Sequence, residues 1–201
     1  MTSPGRHKVF LIGTSTLSEI LLDVGETLDI VFEGCFDDFS RAGSFHGLPI
    51  LGPIEALLAR ARGESGLEAI VAIGDNGHRR DVFRRLWEGH VLTPNIVHTR
   101  AHVEPSASLG KGNVLLGNVY VGARTAIGDG NVFFPGVCLT HHNRVGDFNF
   151  FSPHAAVGGF TRIPSLCKIG MNSVIKADQE LGDGFTCEPL TVVEGYPIAR
   201  S

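Results

Sequence analysis

The sequence has little net charge, few cysteines and no long apolar run, and each shortage excludes a class of protein. The formal net charge is −4 over 201 residues, so no polybasic surface for nucleic acid or anionic lipid is expected. The four cysteines (Cys35, Cys138, Cys167 and Cys187) form no CxxC pair and no zinc spacing, which favours reduced thiols and predicts no metal. No segment approaches the roughly 20 apolar residues of a membrane span, and the amino-terminal apolar run is too short for a signal peptide. We therefore expect a cytoplasmic protein without membrane insertion.

What the sequence does have is a six-residue repeat through its second half. A large apolar residue recurs at every sixth position from Val97 to Val193, with Cys187 as the exception, and glycine follows it in seven of these units. Neither an α-helix nor a plain strand has this period, whereas a coil with three flat faces does. We predict that the apolar residues fill the core and that the glycines permit unusual backbone geometry near the corners. A β-sandwich with chance spacing is the alternative.

The first 95 residues follow a different pattern, in which short apolar runs alternate with helical segments. Strands are predicted over residues 7–13, 28–36 and 68–74, with Ser15 as the cap of the first helix and further helices over residues 54–62 and 78–90. A turn-rich loop is expected over residues 40–53. This alternation predicts a small parallel α/β sheet at residues 1–95, followed by an all-β coil at residues 96–201.

Ligands of such sheets bind beyond the carboxyl ends of the strands. The residues at these ends are Gly13, Thr14, Ser15, Asp37, Gly74, Asp75 and Asn76. Hydroxyl groups at the start of a helix suit an anionic ligand, so these seven residues are the candidate acceptor-binding set. A lone glycine before a helix is also compatible with a plain strand-to-helix turn.

Four motifs resemble one known family over essentially the whole chain. They are VAIGDNGHRR, CFDDF, LTHHNRVGDF and VEGYPIAR. Together they resemble the bacterial sialic acid O-acetyltransferase and nucleotide-activated amino-sugar N-acetyltransferase family, within the hexapeptide-repeat acyltransferase superfamily. The resemblance implies that the first domain is Rossmann-like and binds a nucleotide-sugar acceptor. It also implies that the coil is a left-handed parallel β-helix, although ordinary parallel crossovers are right-handed.

The resemblance also implies the chemistry of the coil. It identifies His141 as the general base, with His142 where the family usually has an acidic residue, and it assigns Gly159, Met171 and Pro189 to the acetyl-CoA site. A neutral imidazole can remove a proton from an attacking amine or hydroxyl group near neutral pH. The repeat agrees with the family match, because Gly159 stands 18 residues after His141 and so one coil further along the same edge.

Two further expectations concern assembly and the acceptor. Apolar residues outside the repeat positions predict an exposed face for a homotrimer with active sites between subunits, which the family also implies; they are Leu116, Phe134, Phe148, Phe150 and Phe160. The first turn, residues 13–17, lacks the family's usual Gly-x-Gly-Gly-His, so the acceptor can differ from the family's usual one.

Three functions are compatible with the sequence. The first is acetyl transfer from acetyl-CoA to an amino or hydroxyl group of a nucleotide-linked sugar, in surface glycan synthesis. The second is an inactive binding or scaffold protein on the same fold, which the altered first turn favours. The third is a zinc lyase on the same fold, which needs three converging histidines, and here His154 lies two repeat units beyond His141 and His142.

Overall fold

The computed structural model describes residues 7–198 and contains two compact units, divided between Pro94 and Asn95. The boundary expected from the sequence lies one residue later. Both outer ends of the expected domains, residues 1–6 and 199–201, lie outside the described residues, as do the last two residues of the VEGYPIAR motif.

The first unit is a five-stranded, mostly parallel sheet with three helices, in the strand order β3-β4-β2-β1-β5. Its elements are β1 (His7–Ile12), α1 (Thr16–Thr27), β2 (Ile30–Phe36), β3 (Ser44–Phe45), β4 (Leu48–Gly52), α2 (Ile54–Ala61), β5 (Ala69–Val71) and α3 (Asn76–Glu88). Strand β1 ends in four apolar residues, Val9 to Ile12, and pairs in parallel with β2 on one side and β5 on the other. The predicted α/β class of this unit is therefore confirmed.

The loop expected over residues 40–53 is wrong, because it contains a hairpin. Strands β3 and β4 pair antiparallel, and β4 then adds to the sheet in parallel with β2 through Cys35 and Ile50. Pro49 within β4 argued against a strand, but β4 alternates exposed with half-buried residues near the sheet edge, where proline is tolerated. Helix α3 also begins two residues earlier than expected, because Asp75 caps it by accepting the N–H of His78 at 2.7 Å.

The second unit is a parallel β-helix built from two-residue strands on three faces. The first face holds β6 (Ile96–Val97), β9 (Val114–Leu115), β12 (Val132–Phe133), β15 (Phe150–Phe151) and β18 (Lys168–Ile169). The second face holds β7 (His102–Val103), β10 (Tyr120–Val121), β13 (Cys138–Leu139), β16 (Ala156–Val157), β19 (Val174–Ile175) and β21 (Val192–Val193). The third face holds β8 (Ser108–Leu109), β11 (Ala126–Ile127), β14 (Arg144–Val145), β17 (Arg162–Ile163), β20 (Gln179–Glu180) and β22 (Tyr196–Pro197).

The six-residue register predicted from the sequence is confirmed. Strands pair in parallel with partners 18 residues away, as Tyr120 with Cys138 and Val132 with Phe150. Every apolar repeat position from Val97 to Val193 belongs to the core cluster or packs against it. Strand β22 departs from this pattern, because it pairs antiparallel with β20.

The repeat glycines are required for a different reason from the one expected. Positive φ angles, between 54° and 75°, recur at every sixth residue from Gly112 to Leu190, which is the third residue after each apolar position. The glycines stand directly after the apolar position, where φ is not positive. A Cβ at Gly122 would overlap the carbonyl oxygen of Thr140, and one at Gly128 would overlap the carboxylate of Asp147. These glycines thus permit close approach of the next coil.

The positive-φ residues mark three corners, which we name by their characteristic side chains. The methionine corner follows the first face and comprises residues 117–118, 135–136, 153–154, 171–172 and 189–190. The histidine corner follows the second face and comprises residues 123–124, 141–142, 159–160 and 177–178. The aspartate corner follows the third face and comprises residues 111–112, 129–130, 147–148, 165–166 and 183–184.

Candidate functional site

His141 packs directly on Gly159 at the histidine corner. A Cβ at Gly159 would overlap the imidazole of His141, so only glycine leaves room for the ring. The backbone joins the same coils, because Phe160 donates its N–H to the carbonyl oxygen of His141 at 3.1 Å. His141 remains exposed and Gly159 is buried. The structure therefore brings together the two residues that the 18-residue spacing relates.

His142 contacts His141 through the ring nitrogens, with 3.2 Å between the two Nδ1 atoms. The imidazole of His142 also stacks on the ring of Phe160, at a centroid distance of 4.6 Å and an angle of 20°. Partial desolvation lowers the pKa of His142, and the neighbouring positive charges of His141, Arg124 and Arg144 lower it further. A neutral His142 can accept a hydrogen bond from the Nδ1–H of His141, which leaves the Nε2 lone pair of His141 for a proton.

The backbone N–H groups two residues after each apolar position have different partners at the three corners. At the aspartate corner the N–H groups of Lys111 and Asp129 donate to carboxylates one coil further on, those of Asp129 and Asp147, both at 2.8 Å. At the methionine corner this position is proline in three coils, residues 135, 153 and 189, and proline has no N–H. Within residues 7–198, the N–H of Gly159 at the histidine corner donates to no other protein group. A buried N–H without a partner is costly and is a candidate ligand donor.

The other coenzyme candidates lie at a different corner from Gly159. Met171 and Pro189 both belong to the methionine corner, where Leu190 donates its N–H to the carbonyl oxygen of Met171 at 2.8 Å. Both candidates are exposed, and Met171 is 45% exposed. Within one chain the predicted coenzyme residues therefore form two groups. Gly159 lies at the histidine corner and Met171 with Pro189 at the methionine corner, on opposite sides of the second face.

The apolar face expected for subunit contact is largely covered within the chain. Leu116 is 1% exposed and Phe148 is 7% exposed, so neither offers a surface to a partner. Phe134 and Phe150 are half-buried and pack on each other at 5.0 Å, while Phe160 stacks under His142. The expectation of five exposed apolar residues is wrong, because two of them are buried in the chain and the other three are half-buried against neighbouring rings.

A groove of about 470 Å³ runs along the third face beside the histidine corner. Arg144 and Arg162 flank it on successive coils, and Glu180 lies 3.7 Å from Arg162. Gly128, Gly146 and Pro164 contribute to its lining. Arg162 is therefore paired with a carboxylate of the same groove, and Arg144 adds a second positive charge one coil earlier.

In the first unit, the carboxyl ends of β1 and β2 bring four predicted residues together. The hydroxyl of Thr14 donates to Oδ2 of Asp37 at 2.8 Å, and the hydroxyl of Ser15 donates to the carbonyl oxygen of Ala72 at 2.9 Å. Gly13 has φ of 99° and donates its N–H to Phe36, so glycine suits this turn. Ser15 caps α1, as expected, but its hydroxyl is engaged with the sheet.

Asp37 is held in its charged form. Burial alone raises the pKa of Asp37, but hydrogen bonds from the Thr14 hydroxyl and from the backbone N–H groups of Phe39 and Ser40 lower it by more. The neighbouring Asp38 accepts the N–H of Ile54 at the start of α2, at 2.8 Å. The acidic turn is therefore anchored at both carboxylates, one of which faces the candidate site.

The turn after β5 is held by Arg79, which the sequence reading overlooked. Arg79 is fully buried and donates to the carbonyl oxygens of Ile73 and Gly74 and, at 2.7 Å, to Oδ1 of Asn76. Desolvation lowers the pKa of Arg79 to about 10, so it stays protonated at neutral pH. Asp75 caps α3. The helical pattern could have identified Arg79, since it falls on the apolar side of α3.

Residues 7–198 contain neither a metal-ligand cluster nor a membrane-spanning helix. No three histidine, cysteine or acidic side chains of this range are grouped as metal ligands. No helix of this range has the length and apolarity needed to cross a bilayer. His154, the third histidine of the zinc hypothesis, packs over Gly136 at the methionine corner and not beside His141.

Comparison with known proteins gives matches over both units. The family model described as the PglD N-terminal domain matches residues 8–86. The acetyltransferase domain of PglB from Neisseria gonorrhoeae FA1090 is 26% identical, with a TM-score of 0.83, and the match covers 95% of this chain and 93% of that one. The same domain solved in complex with acetyl coenzyme A is 25% identical, with a TM-score of 0.82, over 96% and 94% of the two chains.

A more distant structure has the same fold. PerB from Caulobacter crescentus, in complex with CoA and GDP-perosamine, is 24% identical, with a TM-score of 0.66, over 98% of this chain and 93% of that one. A comparison with curated protein sequences finds no significant match. The α/β unit and the β-helix thus occur together in the solved relatives, and the resemblance found in the motifs is confirmed.

Proposed function

We propose that this chain, which is similar to nucleotide-sugar acetyltransferases, transfers acetyl from acetyl-CoA to an amino or hydroxyl group of a nucleotide-linked sugar. The PglB domain solved with acetyl coenzyme A supports the donor. PerB, solved with GDP-perosamine, supports the class of acceptor. The reaction belongs to surface glycan synthesis in the cytoplasm, where both substrates are made.

The observation that carries the proposal is the packing of His141 on Gly159, with Nδ1 of His141 against His142. His142 accepts the Nδ1–H of His141 and so holds the tautomer in which Nε2 is the base. Nε2 then takes the proton of the acceptor amine or hydroxyl as that group attacks the thioester carbonyl. His142 performs the orienting role that an acidic residue has in the family, without adding a negative charge.

The N–H of Gly159 is the proposed partner for the oxygen that becomes negative during attack. It is buried next to the base and has no other acceptor within the described residues. A fixed backbone donor of this kind stabilises the tetrahedral intermediate because its dipole needs no reorganisation. When the intermediate collapses, the carbon–sulfur bond breaks and the thiolate of CoA leaves, with the proton returned from His141.

The proposal includes a homotrimer with shared active sites. Gly159 and the pair Met171 and Pro189 lie at different corners, so a coenzyme that uses all three residues is best held between two copies. In a closed threefold ring, the histidine corner of one copy faces a different surface of the next, which can be the methionine corner. Sedimentation equilibrium is expected to give three times the 21.5 kDa chain mass; a monomer with full activity contradicts shared sites.

The acceptor is assigned to the turn cluster of the first unit. Thr14 and Asp37 offer hydroxyl and carboxylate groups, and the start of α1 offers a partial positive charge for phosphate. Asp75 and Asn76 belong to the second turn of the same sheet edge.

An acceptor screen tests the proposed function directly. Purified protein is incubated with acetyl-CoA and a panel of nucleotide-linked amino sugars, and both CoA release and a mass gain of one acetyl group are measured. The proposal predicts both signals with at least one member of the panel. Acetyl-CoA binding without transfer to any member supports the scaffold alternative.

A further inference from the structure

We propose that Phe39 is a stacking platform for the nucleobase of the acceptor, an inference that rests on the nucleotide-linked acceptor proposed above. Phe39 is 76% exposed, and its ring is tilted by 56° against the ring of His78, with 5.7 Å between the two centroids. An aromatic ring that is so exposed keeps a free face for a planar ligand. Stacking of one base on such a ring changes affinity by roughly 5- to 100-fold.

The backbone fixes Phe39 beside the polar cluster. Oδ1 of Asp37 accepts the N–H of Phe39 at 2.7 Å and that of Ser40 at 2.8 Å, while Oδ2 accepts the hydroxyl of Thr14. One carboxylate therefore links the turn after β1 to the turn that carries Phe39. The platform is positioned by the same residue that the sequence assigns to acceptor binding.

His78 continues this chain of contacts to the turn after β5. Its N–H is bonded to Oδ1 of Asp75, and its ring supports Phe39 from the start of α3. The three turns at the carboxyl edge of the sheet are thereby joined through Thr14, Asp37, Phe39, His78 and Asp75.

The order of these groups matches the order of groups in a nucleotide. In parallel α/β sheets, phosphate binds at the helix start after the first strand, and an acidic residue after the second strand binds the ribose. Here Gly13, Thr14 and Ser15 precede α1, and Asp37 follows β2. Phe39 lies two residues beyond Asp37, and by this analogy with dinucleotide-binding sheets we assign it to the base that follows the ribose.

Binding of nucleoside diphosphates provides the test. The dissociation constants of ADP, GDP, CDP and UDP are measured calorimetrically for the wild type, Phe39→Ala and Phe39→Trp, with pyrophosphate as the probe without a base. Tyr196→Ala is the matched control, because Tyr196 is also 76% exposed but belongs to the second unit. We expect Phe39→Ala to weaken the preferred nucleotide by about 5- to 100-fold and pyrophosphate by less than about twofold. Phe39→Trp and Tyr196→Ala are expected to bind as the wild type does.

Three results overturn the platform: unchanged nucleotide binding by Phe39→Ala, equal weakening of pyrophosphate, or no nucleoside diphosphate bound by the wild type. The acceptor screen separates this outcome from the proposed function. If Phe39→Ala transfers acetyl with an unchanged KM for the acceptor, the stacking role of Phe39 is contradicted and the proposed transferase function stands. If Phe39→Ala weakens nucleotide binding but the wild type acetylates no nucleotide-linked sugar, the stacking role of Phe39 is supported and the proposed transferase function is contradicted.

Discussion

The aspartate and histidine corners are built from the same repeat, yet they differ in the hydrogen bonds of their backbone N–H groups. At the aspartate corner, side chains from the next coil accept the N–H groups of Lys111, Asp129 and Asp147 at 2.8–2.9 Å. At the histidine corner, the corresponding N–H of Gly159 has no acceptor within residues 7–198, and an imidazole ring covers the glycine instead. Three coils of the aspartate corner thus use this N–H in a hydrogen bond to a side chain, whereas the histidine corner keeps a donor next to the proposed base.

This difference shows how a regular β-helix can contain a catalytic site. A glycine makes room for a side chain of the neighbouring coil at both corners: the repeat glycine Gly128 for Asp147, and the corner glycine Gly159 for His141. At the first corner the space is used for a hydrogen bond that stabilises the stack. At the second it is used for a side chain with titratable nitrogen. Substitutions at the first corner should therefore reduce stability, and substitutions at the second should reduce activity.

The largest effect on stability is expected from filling a repeat glycine. Gly122→Ala inserts a Cβ into the backbone of Thr140, whereas Gly182→Ala meets no atom within 4 Å, although both glycines follow an apolar repeat residue. We expect Gly122→Ala to lower the free energy of unfolding by about 3 kcal/mol or more and Gly182→Ala to change it by less than about 0.5 kcal/mol. Urea denaturation measures both; equal small changes would contradict the close-approach explanation.

A moderate effect on stability is expected at the aspartate corner. Asp147→Ala removes the acceptor of the Asp129 N–H and should cost about 1–3 kcal/mol of unfolding free energy. Asp183→Ala is the control, because Asp183 is exposed at the same repeat position one coil from Ser165. Acetyl transfer by folded Asp147→Ala should match the wild type. A specific loss of transfer, with stability unchanged, would show that the two corners are not functionally separate.

A smaller effect, on pH dependence, is expected from the partner of the base. His142→Glu introduces a negative charge beside His141, which stabilises the protonated imidazolium form over the neutral one. Because the neutral form of His141 is the base, the acidic limb of kcat/KM should move to higher pH, by about one unit. His142→Ala should lower kcat about tenfold through loss of orientation, and a profile unchanged in both variants removes His142 from the mechanism.

The period of the repeat predicted the core and the contact between His141 and Gly159, because both follow from an 18-residue spacing. It could not predict the role of the glycines, since a close approach between coils depends on backbone positions that no local pattern contains. The hairpin at residues 44–52 was hidden by Pro49 and by strands too short for a clear alternation. The prediction of an exposed apolar face was wrong for a related reason. Leu116 and Phe148 are buried, although they lie at positions whose burial the six-residue period does not specify.

The most direct test of the account compares His141→Ala with His102→Ala. Both histidines are exposed in the β-helix, and each contacts a neighbouring polar side chain, His142 or Glu104. Turnover is measured with acetyl-CoA and the acceptor found in the screen, together with the melting temperature and the Kd for acetyl-CoA. The account predicts that His141→Ala loses about 10²- to 10⁴-fold in turnover while the other two quantities stay unchanged, and that His102→Ala keeps wild-type turnover. Turnover by His141→Ala close to that of the wild type would contradict the assignment of the base.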